Sequence, residues 1–169
     1  MSDTTFRVAD DKKTLIVERT FDAPKSRVWK AYSTRELLLR WWGPRGWETI
    51  IKRLEFENGG TWHYGMKCVD RNQGDWFGKT SWGKFTYASI RPEESFEYTD
   101  LFCDEEGNPI PDMPSSHTVL RLVERDGKTT VTTTTVYATE EALSQVLEMG
   151  MKEGLTQTLD KLEEVLRGE

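Results

Sequence analysis

Cysteine and histidine are scarce in this sequence, with two of each among 169 residues. Cys68 and Cys103 stand in no metal-like spacing, and neither His63 nor His117 has a partner suggested by spacing. No metal site is therefore assigned, and a reduced thiol pair in a cytoplasmic protein is the expectation. A basic excess is missing too: 23 Lys and Arg face 29 Asp and Glu, a net charge of −6. Phosphate binding needs a concentrated cationic face, so nucleic acid is not an expected partner. No apolar run approaches the ~20 residues of a membrane helix, and the N-terminal stretch has no leader-like apolar core. The sequence holds no nucleophile elbow, no phosphate-binding glycine loop after a strand, no HExxH and no CxxC. No catalytic residue and no cofactor are assigned. There is no internal repeat, and a chain of this length buries about two-thirds of its unfolded surface as one domain.

Aromatic residues are abundant instead: seven Trp, five Tyr and seven Phe. They fall in alternating runs. Trp62, Tyr64, Met66 and Cys68 share one phase, with His63, Gly65 and Lys67 on the other. The next runs are Trp82, Phe85, Tyr87 and Ile90, with a phase slip near Ala88 that suggests a bulge, and then Phe96, Tyr98 and Phe102. Earlier, Thr14 to Phe21 reads as a strand with Leu15, Val17 and Arg19 on one face, and a later one puts Ile50, Leu54 and Phe56 together. Residues 1–13 are polar and expected to be flexible; 14–167 form the single domain.

Two short helices are expected after the first strand. Pro24 opens one, and Ser33-x-x-Glu36 matches a capping box for the other, which Gly43-Pro44 stops. The loop from Asp104 to Ser116 carries three prolines, is long for a compact domain, and is expected to be a mobile lid beside an entrance. Strands over Thr118–Val123 and Thr129–Tyr137 flank an Arg125-Asp126-Gly127-Lys128 turn. Val131, Thr133, Thr135 and Tyr137 share the inward phase; the threonines either face a cavity or bond to neighbouring strands.

The last thirty residues, Thr139 to Arg167, read as one long amphipathic helix capped by Thr139. Leu143, Val146 and Leu147 lie on one line with Gly150 and Gly154, and helix-interior glycines cost about 1 kcal/mol each relative to Ala. Either a strand approaches them closely or they leave a hollow beneath the helix. On the second reading Leu replacing either glycine fills space without unfolding the domain. Together these elements make an α+β domain, a sheet of six or seven strands with the long helix on its concave side. Its pocket wall would be Trp62, Tyr64, Met66, Tyr87, Tyr98, Phe102, Thr133, Thr135, Leu147, Gly150, Met151 and Gly154, although each aromatic alone has a plain-core reading. Trp62, and with it Trp82, would report a bound ligand by fluorescence.

Several short stretches together resemble one family. These are Ala23-Pro24 with Val28-Trp29, Trp41-Trp42-Gly43-Pro44, Gly59-Gly60-x-Trp62, Gly83-x-Phe85, Ile90-x-Pro92 and Gly150-Met151-x-x-Gly154-Leu155 leading to Leu159 and Leu162. Over Thr14 to Arg167 the chain resembles the START-like (SRPBCC) superfamily, specifically homologues of the activator of the 90-kDa heat-shock protein ATPase. The resemblance implies a helix-grip fold, an antiparallel sheet curled around the C-terminal helix with an apolar cavity between them. Where family members often carry Asp-x-Arg ahead of the double glycine, this chain has Glu55 and Glu57, which leaves no opposite charge within that pair. The eukaryotic co-chaperone's separate N-terminal domain has no room here, so its activity is not carried over. The expected function is binding of a small apolar or amphipathic molecule. The alternatives are an enzyme acting on such a molecule, with His63, His117, Tyr64 or Glu148 as acid or base, and a chaperone-related or self-associating interaction module with an exposed apolar patch.

Overall fold

A computed structural model describes residues 3–168. Eight antiparallel strands form one sheet in the order β1-β2-β8-β7-β6-β5-β4-β3. The strands are β1 (Thr5–Val8), β2 (Thr14–Phe21), β3 (Trp47–Leu54), β4 (Thr61–Cys68), β5 (Thr80–Arg91), β6 (Ser95–Cys103), β7 (Ser115–Arg125) and β8 (Lys128–Tyr137). Helices α1 (Lys25–Ser33) and α2 (Arg35–Trp41) join β2 to β3 at the far edge, and α3 (Glu140–Glu148) and α4 (Met151–Leu166) end the chain. This is the helix-grip architecture that the sequence suggests, with one strand more than expected. The extra strand is β1, which pairs with β2 from Thr5↔Glu18 to Val8↔Leu15, so the segment expected to be flexible carries an edge strand.

The inward face of β2 alternates Leu15, Val17, Arg19 and Phe21, all buried. Arg19 is the unusual member. Its guanidinium pairs with Asp160 at 2.7 Å and Glu163 at 3.2 Å, both on α4, and also bonds Thr4. Those carboxylates lie three residues apart on one helix face, which turns Leu159, Leu162 and Leu166 into the core. At the other side of α4, Lys161 donates to the Gly43 carbonyl at 3.0 Å and Arg45 pairs with Glu164, tying the helix to the segment after α2.

Four local expectations are corrected. The long C-terminal helix is two helices: Gly150 sits in the left-handed region at φ 87° and breaks it. A Cβ on Gly150 would meet nothing within 4 Å, and one on Gly154 would meet only Pro44, at 3.9 Å, so neither glycine lies against a strand. Ser33 caps nothing; its hydroxyl bonds back to the Trp29 carbonyl at the end of α1, and Thr34 begins α2 without a side-chain cap. In β3 a bulge between Ile51 and Arg53 shifts the phase, so Ile51 rather than Ile50 pairs beside Tyr64 and is buried. Trp82 lies on the opposite face from Phe85, packed over Gly65 and near His63, because β5 alternates Gly83, Phe85 and Tyr87 inward. The irregularity expected near Ala88 is present, between Ala88 and Arg91. The Asp126-Gly127 turn has both residues at positive φ, which matches the right-handed twist of a hairpin. Glu55 finds its opposite charge in Arg53, at 3.0 Å, not in Glu57.

Arg19→Met removes the buried cation from between Asp160 and Glu163, of which Glu163 keeps Arg167, and should cost about 3 kcal/mol in urea unfolding, the low end of the range for a broken buried pair because Asp160 is partly exposed. Gly150→Ala should destabilise by about 1 kcal/mol through its positive φ, whereas Gly154→Ala, inside a regular helix with room for a methyl, should stabilise by a similar amount.

Candidate functional site

The inner aromatics divide into a solid part and a hollow part. Trp42 packs edge-on against Trp62 at 4.7 Å, Trp62 against Phe85 at 5.0 Å, and Phe85 stacks on Tyr98 at 3.9 Å between ring centres. Trp62, Tyr87 and Tyr98 belong to this filled region, where the residual space is only about 10 Å³. Further along the same strands the packing opens into a cavity of about 210 Å³. Tyr64 and Met66 reach it from β4, Ser81 and Gly83 from β5, and Asp100 and Phe102 from β6. Pro114, Ser116 and Tyr137 close one side, and Val146 of α3 and Met151 of α4 close another.

Gly83 makes this shape possible. A Cβ there would come within 2.7 Å of the Tyr64 hydroxyl, so the phenol lies directly across the glycine, and any larger residue would displace it. Val146 and Met151 flank the break at Gly150, so the hollow does lie under the helical segment. Neither Gly150 nor Gly154 lines it, so it is not the space their missing side chains leave.

Of the residues read from the sequence as pocket wall, Tyr64, Met66, Phe102 and Met151 meet at this cavity. Trp62, Tyr87 and Tyr98 are in the filled core, and Thr135 bonds to Thr118 across the strand pair at 2.9 Å. Thr133, Leu147, Gly150 and Gly154 are not among the lining residues, whereas Trp82 borders the cavity although its ring packs over Gly65 and near His63 on the other face. The acid-base candidates also separate. His63 sits on the outer face with its Nε2 3.2 Å from the Asp104 carbonyl, His117 pairs with Glu97 at 2.9 Å, and Glu148 is exposed; only Tyr64 reaches the cavity. The long loop is organised in its first half, where the Asp104 carboxylate accepts the Glu106 and Asn108 amides and Lys84 holds the Gly107 carbonyl. Its last part, Pro114, borders the cavity as expected of a loop beside an entrance.

Sequence reading passed over several lining residues, among them Ser81, Gly83 and Ser116, and Asp100 is the charged one. It shares the phase of Phe96, Tyr98 and Phe102 on β6, so extending the two-residue period through position 100 would have found it. Burial pushes its carboxyl up to about 7, and no hydrogen bond or ion pair to a described residue offsets this. Its neighbours are phenols. Burial, reinforced by the Asp100 charge, raises Tyr64 and Tyr98 well above the usual tyrosine range and Tyr137 to about 12, so all three stay protonated at neutral pH. The site is thus a small apolar chamber with one titrating carboxyl and hydroxyl donors around it. Among the described residues no cluster of His, Cys, Asp and Glu could hold a metal ion, and no helix is long and apolar enough to cross a membrane.

Sheet order, paired early helices and the C-terminal helix over a cavity define a START-like, helix-grip protein. Residues 22–167 match the family described as Activator of Hsp90 ATPase homolog 1-like protein, and the chain belongs to that family. A crystal structure of a Mycobacterium smegmatis protein is similar at 31% identity and TM-score 0.86, covering 97% of each chain. A solution structure from Arthrobacter aurescens has 27% identity and TM-score 0.86, covering 98% of this chain and 92% of that one. Another from Staphylococcus epidermidis has 30% identity and TM-score 0.80, covering 95% and 93%. Among curated proteins no match was found.

The half-buried Asp100 carboxyl generates a stability prediction. Asp100 holds its proton more tightly folded than unfolded, since its ordinary value is 3.8. The folded state is therefore favoured below that value and loses stability as pH rises towards about 7. Asp100→Asn should be more stable than the parent at about pH 8, by at least about 1 kcal/mol, with the gap closing towards about pH 4. Urea unfolding of both proteins across that range is the measurement.

Proposed function

We propose that this protein binds a small apolar or amphipathic molecule in the chamber between β4–β8 and the α3–α4 junction. The observation that carries the reading is the cavity itself: about 210 Å³ left open in a core that is otherwise filled by interlocking aromatic rings. Interiors normally pack without such voids, and an open one costs stability, which a binding role would account for. Family membership agrees with a cavity-bearing fold. The volume restricts the guest to about one aromatic ring with a short substituent, since a 150 Å³ apolar cavity holds benzene. Fatty acids and fused polyketide-like rings exceed it.

Val146→Trp places an indole at the cavity wall. Titration with p-cresol, followed by tyrosine ring signals in NMR and by melting temperature, should show binding to the parent and none to this folded variant. Ring signals and melting temperature unchanged in the parent would sink the reading.

A second reading, a chaperone-related interaction module, has its own observation. Trp76 and Phe77 at the β4–β5 connection are exposed, with Val69 nearby in the chain and the Trp47 ring 6.0 Å from that of Trp76. Exposed aromatics grouped in this way often mark contact surfaces. Under this reading Trp76→Ala weakens binding to a purified 90-kDa heat-shock chaperone, while Val146→Trp leaves it unchanged.

A further inference from the structure

We propose that the cavity selects a monocyclic aromatic molecule carrying a protonated amine, with the Asp100 carboxylate receiving the ammonium group. The inference rests on the cavity being a binding site and adds the chemistry of its guest. Other carboxylates in the protein show what a settled one looks like: Asp160 has Arg19, Glu55 has Arg53, and Glu97 has His117. Asp100 alone among these faces a chamber with no described side chain bonded to it. Carboxylates held in an apolar wall are normally paired, and a site that supplies only the anion is complete when a cation enters.

The surroundings offer no competing cation. Tyr64 faces Asp100 from β4, Tyr98 and Cys103 lie on β6 itself, and Tyr137 faces it from β8. β5 and β7 contribute Gly83 and Ser116, and the helices contribute Val146 and Met151, none of which carries charge. Lys84 is engaged elsewhere, on the Gly107 carbonyl. The remaining walls suit an aromatic ring: Phe102 and Tyr64 offer ring faces, Met66 and Met151 offer thioethers, and phenol faces also attract cations. A net charge of −6 draws cations towards the protein from a distance. The elevated proton affinity of Asp100 adds a signature. An alkylammonium stays charged through neutral pH, as lysine does, so binding displaces the carboxyl proton and tightens as pH rises.

Three probes of one shape separate the possibilities: 2-phenylethylamine, 2-phenylethanol and phenylacetate. Their dissociation constants would be measured by NMR titration at about pH 5.5 and about pH 8.5, for the parent and for Asp100→Asn. The amine should bind the parent about tenfold more tightly than the alcohol at the higher pH, and this preference should vanish at the lower pH and in the variant. The alcohol should bind parent and variant alike, which shows that the variant's cavity is intact. Equal binding of amine and alcohol by the parent at both pH values overturns the inference while leaving the cavity reading standing. So does preference for phenylacetate. If none of the three binds the parent, the cavity reading falls and this inference with it. The pH dependence of the parent decides the matter even if the variant folds poorly.

Discussion

Everything above the sheet is set by a cation that cannot be left alone. Arg19 lies on the inward face of β2, 2% exposed, at a position where its neighbours are leucine, valine and phenylalanine. Water cannot reach it, so protein carboxylates must, and α4 supplies Asp160 and Glu163 from one face. That requirement fixes both the rotation of α4 and its position along the sheet, because a register change of a single residue turns both acids away. Buried ion pairs contribute little net stability against an apolar alternative. What this one contributes is a unique seating. With α4 seated, Leu159, Leu162 and Leu166 fill the end of the core near β2, and the unfilled end is left near β5 and β6.

The same division explains the aromatic abundance. Rings at the closed end interlock edge to face, from Trp29 against Phe56 and Phe96 to Trp42 against Trp62, Tyr64 and Phe85. Large rigid rings fill a wide gap between a curved sheet and its helices with few rotors to freeze. They are there mainly as filling. Where the filling stops, small or polar residues enter the inward phase beside Tyr64, Met66 and Phe102: Gly83, where nothing larger fits against the Tyr64 phenol, Asp100 and Ser116.

Much of this was legible in the sequence, and the failures are informative. Period-two alternation found β2, β4, β6 and β8 with their correct faces, since a strand's phase is a local property. It failed in β3, where a bulge adds a residue, and in β5, where Gly83 hides the inward phase and Trp82 imitates it. Gly150 and Gly154 share a helix face in the sequence because periodicity carries no information about φ; Gly150 is a left-handed residue that separates two helices, not a gap in a stripe. Tyr64, Met66, Phe102 and Met151 line the cavity while Trp62, Tyr87 and Tyr98 of the same phase do not, because phase alone cannot say how far along a strand the packing ends. Asp100 was missed because an acid among aromatics looks like an exception to the inward pattern, when it was a member of it.

The helix break has a thermodynamic corollary. Split off at Gly150, α3 is a nine-residue helix with one fully buried residue, Leu143, against five in α4. Helices of that length are marginal on their own, and their persistence depends on what they bury. Opening α3 therefore exposes little of the core and leaves the Arg19 clamp untouched, so it lies at the low-cost end of the molecule's sub-global unfolding. Val146 on this helix is part of the chamber's wall. For the guest proposed above, fraying of this short helix would offer a route of exchange with solvent, and residence time would then depend on Thr139, Leu143 and Gly150 as well as on the residues touched.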